Sequence, residues 1–120
     1  MIIAYPVDWN NGLESRISED FAEADSFILF DTETGKMENA VHMRGKSIAD
    51  SSRKAALLIS ESGAEAVVVK LIGCAAVNRL RGLGVTAYTS RSGILKDDIE
   101  LCRSDKLTAI RAGECDNSCK

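Results

Sequence analysis

The stretch Ala66–Tyr88, "AVVVKLIGCAAVNRLRGLGVTAY", decides the fold. Its first seven residues, "AVVVKLI", lie between turns and do not alternate polar with apolar. That predicts a strand buried on both faces. From Ala75 the period becomes helical, with Ala76 or Val77, Leu80 and Leu83 facing inward and Gly84 ending the helix. "VTAY" then reads as a second strand. A strand, a helix and a strand in that order imply a crossover between parallel strands.

Upstream, "MIIAYPV" reads as a strand closed by Pro6, and "DWNNGLESRIS" as a turn-rich loop. Ser18 is placed to cap a short helical turn containing Glu19, Asp20 and Phe21. "SFILF" is a continuous apolar run that predicts a central strand. "DTETG" is a tight turn in which Gly35 supplies a positive φ. In "KMENAVHMR", Met37, Val41 and Met43 fall on one face and Lys36, Glu38, His42 and Arg44 on the other, the period of a half-buried strand. Ser47 and Asp50 fit a capping box. Ile48, Ser52, Ala55, Ala56 and Ile59 then recur at helical spacing, with Gly63 as the C′ residue. A last helix carries Leu95, Ile99 and Cys102 on one face, with Asp97 and Asp98 near its positive end. The order β-β-β-α-β-α-β-α predicts an α/β fold with a mixed sheet covered by helices. Residues 1–111 are expected to form one domain, and residues 112–120 a flexible polar tail.

The chain has 120 residues, a net charge of −3 and a 45% hydrophobic composition. The acidic balance argues against a nucleic-acid partner. No apolar run approaches the ~20 residues of a membrane span, and the N-terminus lacks the pattern of a secretory signal, so a cytoplasmic location is expected. The four cysteines, Cys74, Cys102, Cys115 and Cys119, then suggest metal binding or burial rather than disulfides.

"GLESRISEDFAEADSFILFDTETGKME" (residues 12–38) resembles the N-terminal signature of the dinitrogenase iron–molybdenum cofactor biosynthesis family. "LIGCAAVNRLRGLGVTAY" (residues 71–88) is similar to its second signature, Ile-Gly-Pro-Asn-Ala followed by a helix and a Gly-Ile/Val strand entry. The resemblance extends to about Arg111. It implies a ribonuclease H-like fold with a mixed five-stranded sheet and helices on both faces. It also implies a non-enzymatic role in binding, carrying or protecting a molybdenum- or iron-containing sulfur cluster, with a metalloenzyme or assembly protein as partner. This chain departs from the family in two places. "RGKSIADSSRK" has no histidine where many members carry a His/Gly-rich loop, and Cys74-Ala75 replaces Pro-Asn. The family's histidine ligand therefore has no counterpart here, and an interaction module that has lost its cofactor site is the alternative reading.

Cys74 follows a strand and opens a helix, where free backbone N–H groups and the helix dipole favour thiolate, the form that binds soft metals. It is read as a ligand or reactive thiol, with a small buried hydrophobe as the plain alternative. Arg44, Lys46 and Ser47 surround the start of the first long helix. Together with Gly73 and Cys74 they are expected to form an anion site suited to a thiometallate or a sulfide-bridged cluster. Cys115 and Cys119 form a C-x-x-x-C pair that could join Cys74 around a metal, or be incidental thiols in a mobile tail. His42 is read as a surface residue and Cys102 as core packing. Nuclease chemistry needs clustered carboxylates for two metal ions. Asp8 near the end of the first strand finds no acidic partner in "AVVVKLI".

Overall fold

The computed structural model of the chain describes residues 1–8, 12–19, 21–22, 24–41, 47–70, 72, 74–91 and 93–103. Five strands, β1 (Ile2–Val7), β2 (Ser26–Asp31), β3 (Met37–Val41), β4 (Ala66–Val69) and β5 (Thr86–Thr89), form one sheet in the order β3-β2-β1-β4-β5. β1 pairs antiparallel with β2 and parallel with β4, β2 is antiparallel to β3, and β4 is parallel to β5. Helices α1 (Ile48–Glu61), α2 (Cys74–Gly82) and α3 (Leu95–Arg103) each begin at the edge where β1, β3, β4 and β5 end. This is the expected ribonuclease H-like α/β architecture.

The strand period of two divides the core into two layers. On one side Ala4, Phe27, Val67, Val69 and Ala87 pack against Ala55, Ala56 and Ile59 of α1 and Ala76, Val77 and Leu80 of α2. On the other, Ile3, Tyr5, Val7, Ile28, Phe30 and Val68 pack against Leu95 and Ile99 of α3. All four residues of β4 are buried, as a strand covered on both faces requires.

The helix ends follow their sequence signals. Ser47 is the N-cap of α1, its Oγ accepting from the Asp50 N–H at 3.1 Å. α1 and α2 end in the same way. Ala64 N–H donates to Ile59 C=O and Gly63 N–H to Ser60 C=O, and Val85 and Gly84 repeat the pair with Leu80 and Arg81. These are Schellman closures, and Gly63 and Gly84, both at φ +80°, supply the left-handed residue they need.

Four details differ from expectation. Val41 is 65% exposed, because β3 is an edge strand and only Met37 and Ala40 are half-buried on it. Leu83 is exposed, since α2 ends at Gly82 and the chain reverses at Gly84. Ser51, not Ser52, is the buried serine of α1. Ser18 is followed among the described residues by a turn at Phe21–Ala22 rather than by a helix, and its hydroxyl also makes a contact outside the local pattern, donating to Asp8 Oδ1 at 2.9 Å across ten residues.

Ile59 is completely buried between α1 and the sheet. Ile59→Ala is expected to cost about 2–5 kcal/mol through the cavity it leaves, measured by denaturant unfolding. A loss below about 0.5 kcal/mol, the scale of an exposed site, would contradict the packing.

The β2–β3 turn is held by Asp31. Its Oδ1 accepts from the Glu33 N–H at 2.9 Å. That bond, helped by the Thr34 groups and the N-terminal charge and opposed by desolvation, holds the carboxyl below its ordinary value of 3.8. A lowered folded pKa stabilises the protein above the unfolded value, and the effect is lost as pH falls through the folded value. Asp31→Asn should therefore be less stable than wild type at neutral pH, and the two should converge as pH falls through the lowered folded value of the carboxyl. A difference independent of pH would contradict a role for the ionised carboxylate.

Candidate functional site at the carboxyl edge of the sheet

Because β1, β4 and β5 run parallel, their ends and the starts of α1, α2 and α3 share one edge. In open α/β sheets this is where ligands bind, since loops converge there and helix N-termini point toward it. Of the expected site residues, Ser47 and Cys74 are placed at this edge as the N-cap of α1 and the first residue of α2. Ser47 is exposed, and its oxygen serves the cap while its O–H proton can still be donated. Arg44, Lys46, Gly73, Cys115 and Cys119, together with His42, lie outside the described residues.

The same edge carries a cleft of about 490 Å³ that no local sequence pattern marks, lined by Asp8, Glu14, Ser15, Arg16, Ile17, Glu19 and Lys70. One wall is the segment after β1. A 3-10 turn at Gly12–Glu14 leads into residues 15–18, which are fastened on two sides. Ser18 N–H donates to Pro6 C=O at 2.7 Å, and Ile17 N–H to Gly93 C=O at 2.9 Å. Leu95 N–H, at the first turn of α3, donates to Ser15 C=O at 2.8 Å. Isolated antiparallel bridges pair Val7 with Ile17 and Arg16 with Ile94. The segment read as a polar loop is thus an extra strand-like strap between β1 and the β5–α3 connection. Ile17, buried against Val7 and Leu95, is the apolar residue in "RIS" that could have signalled it.

The β5–α3 connection is organised by Asp98. Its side chain is completely buried, although it sits among the charged residues of α3. The carboxylate accepts from Ser90 Oγ and from the Arg91 N–H, and Ser90 Oγ in turn accepts from the Gly93 N–H at 3.1 Å. The Asp97-Asp98 pair reads as a dipole-complementing couple. Only Asp97 is solvent-facing, and Asp98 is the anchor of the loop.

Charges in the cleft are mixed. Glu14 pairs with Lys96 at 2.9 Å, which raises the Lys96 pKa and ties the 3-10 turn to α3. Lys70, the residue after β4, pairs with Glu19 at 3.3 Å. Asp8 receives the Ser18 hydroxyl. Among the described residues no three His, Cys, Asp or Glu side chains are grouped to hold a metal ion. The described lining thus places two cations, Arg16 and Lys70, among three carboxylates, Asp8, Glu14 and Glu19.

Asp98→Ala would leave the Ser90 hydroxyl and the Arg91 amide without their shared acceptor. A loss of about 1.5–3 kcal/mol is expected, with faster amide exchange at Arg91 and Gly93 by NMR. Unchanged exchange would show that Asp98 does not hold the loop.

Comparison with known proteins agrees with this architecture. An uncharacterised protein of Methanocaldococcus jannaschii is 27% identical over 116 residues, covering 89% of each chain. The apo form of the orange protein from Desulfovibrio gigas superposes with a TM-score of 0.82 at 16% identity, over 92% of this chain and 93% of that one. A Thermotoga protein described as a candidate NifB protein gives 0.74 at 25% identity, over 91% and 92%. No helix among the described residues is long and apolar enough to cross a membrane. Residues 1–104 match the family model described as dinitrogenase iron-molybdenum cofactor, and the chain belongs to that family.

Proposed function

We propose that the protein binds and carries an anionic metal–sulfur cluster, or a related thiometallate, at the carboxyl edge of its sheet, and catalyses no reaction on it. The observation that carries this reading is the family match over residues 1–104. The convergence of three helix starts and a cation-bearing cleft at one edge supports it. An anionic cluster needs no chemical change to be held there. Backbone N–H groups at helix starts and fixed cations supply the attraction, and surrounding protein limits access of water and oxidants.

In this proposal Gly73, Cys74, Arg44, Lys46 and Ser47 contact the cargo, with Cys74 able to supply a thiolate. Cys115 and Cys119 supply two further thiolates to it. The cargo is a molybdenum- or iron-containing sulfur cluster, and the partner a metalloenzyme or assembly protein that donates or receives it.

The test is anaerobic titration of the reduced protein with tetrathiomolybdate and with iron plus sulfide, followed by metal and sulfide analysis after desalting. Stoichiometric retention is expected. Cys74→Ser should lower it with unchanged thermal melting, because the replacement is nearly isosteric, and deletion of residues 115–120 should lower it without loss of stability. If wild type retains neither metal nor sulfide, the reading fails. The second reading, an interaction module without a cofactor, would then stand on the absence of histidine in the 44–54 segment.

A further inference from the structure

The cleft contains two cations that neither family signature singled out, Arg16 and Lys70. Lys70 leaves the sheet directly after Val69, so its backbone position is set by β4. Its side chain lies against Gly93 of the β5–α3 connection. A Cβ added at Gly93 would stand 3.0 Å from Lys70 Cε and 3.2 Å from Nζ. Glycine leaves that space open, and its φ of +79° is one that other residues adopt only with strain. On its other side the ammonium meets Glu19 Oε1 at 3.3 Å. The two supports are unequal. Gly93 is fixed by its C=O bond from Ile17 and its N–H bond to Ser90. The Glu19 side chain is 81% exposed, and an ion pair that open contributes little.

Arg16 lies on the strap between Ser15, whose C=O accepts from Leu95 N–H at the start of α3, and Ile17, whose N–H donates to Gly93 C=O, and its backbone bridges to Ile94. Among the described residues no carboxylate pairs with it. The other cleft carboxylates are engaged, Glu14 with Lys96 and Asp8 with Ser18.

We infer that Arg16 and Lys70 are the anion-contacting pair of this cleft, and that Glu19 is a built-in counter-ion which a bound, multiply charged metallate displaces. This deepens the proposed function and rests on it. Lys70 supplies a point charge positioned from behind by Gly93, and Arg16 a planar fork of N–H donors. A metallate carrying two or more charges outcompetes a single mobile carboxylate for both. Glu19 screens Lys70 when the cleft is empty of cargo.

The experiment is a titration of full-length wild type and variants with tetrathiomolybdate, anaerobic, reduced and at constant ionic strength. Lys70→Gln and Arg16→Gln are each expected to weaken binding about tenfold, the scale of a lost charge-assisted hydrogen bond. Glu19→Gln should tighten it about two- to fivefold, by removing the competitor. Lys36→Gln, which removes the same charge from the β2–β3 turn at the opposite edge, should leave it unchanged. Gly93→Ala should weaken binding in the wild-type background but add nothing to Lys70→Gln, as a residue acting through Lys70 requires.

Wild-type affinity in both Lys70→Gln and Arg16→Gln would overturn the inference while leaving the cargo-binding function standing. So would weaker binding in Glu19→Gln, or an equal loss in Lys36→Gln. Additive losses from Gly93 and Lys70 would overturn the positioning role of Gly93. Failure of wild type to bind the probe would remove the proposed function itself, and the inference with it.

Discussion

β1 pairs antiparallel with β2 on one side and parallel with β4 on the other. That single strand turns a hairpin into a mixed sheet, and the rest of the molecule depends on it. Antiparallel pairing lets β2 and β3 follow through short turns. Parallel pairing forces the chain to cross over between β3 and β4 and again between β4 and β5, each time through a helix. Each crossover helix must start where its preceding strand ends, so the helix starts collect at one edge. β1 is buried from Ile3 to Val7, and its alternating side chains feed both core layers, Ala4 to one and Ile3, Tyr5 and Val7 to the other. Its burial therefore couples the two layers, and the helix starts share one edge because the sheet cannot form otherwise.

On the α3 face that edge has a second level of construction. The strap at residues 15–18 and the loop at residues 90–94 are hydrogen-bonded to each other, and the buried carboxylate of Asp98 holds the loop from beneath. Burying a charge is tolerated here because at least two donors meet it. The result is a cleft with hydrogen-bonded walls, in which the Lys70 side chain lies against Gly93 and its ammonium pairs with the exposed Glu19. A protein of net charge −3 can present an anion site in this way, because a positioned cation acts at contact range while the distributed negative charge is screened by salt.

Much of this was legible in the residue pattern, for physical reasons. "AVVVKLI" reads as a strand covered on both faces, which holds for Ala66–Val69 while Lys70 already lies outside the strand, and Gly63 and Gly84 mark helix ends because left-handed backbone favours glycine. The half-buried pattern of β3 was less secure. Val41 is apolar yet exposed, since an edge strand at its end has nothing to pack against, and periodicity does not report which strand is the edge. The strap was read as a loop because its pairing is with Gly93 and Ile94, some 80 residues away, and long-range pairing leaves no local period. Asp98 was read with Asp97 as complementing the helix's positive end, and helical spacing does not reveal that the β5 loop folds over it. The place of Lys70 in the cleft was hidden for the same reason: its side chain lies against Gly93, and no spacing within "VVVKLIGC" points there. Ser47 and Cys74 were placed correctly at helix starts, since capping and strand-to-helix transitions are local events.

In the proposed function the cargo is held at the carboxyl edge of the sheet. Backbone amide chemical-shift mapping during anaerobic titration with tetrathiomolybdate tests it most directly. The account predicts shifts confined to Asp8, residues 15–19, Ser47, Lys70, the first turn of α2 and Gly93, with none at the opposite edge around Asp31–Lys36, Ser62–Ala64 and Leu83–Val85. Shifts centred on that opposite edge or on the free side of β3 would contradict it, as would a saturating titration that leaves the carboxyl-edge amides unmoved.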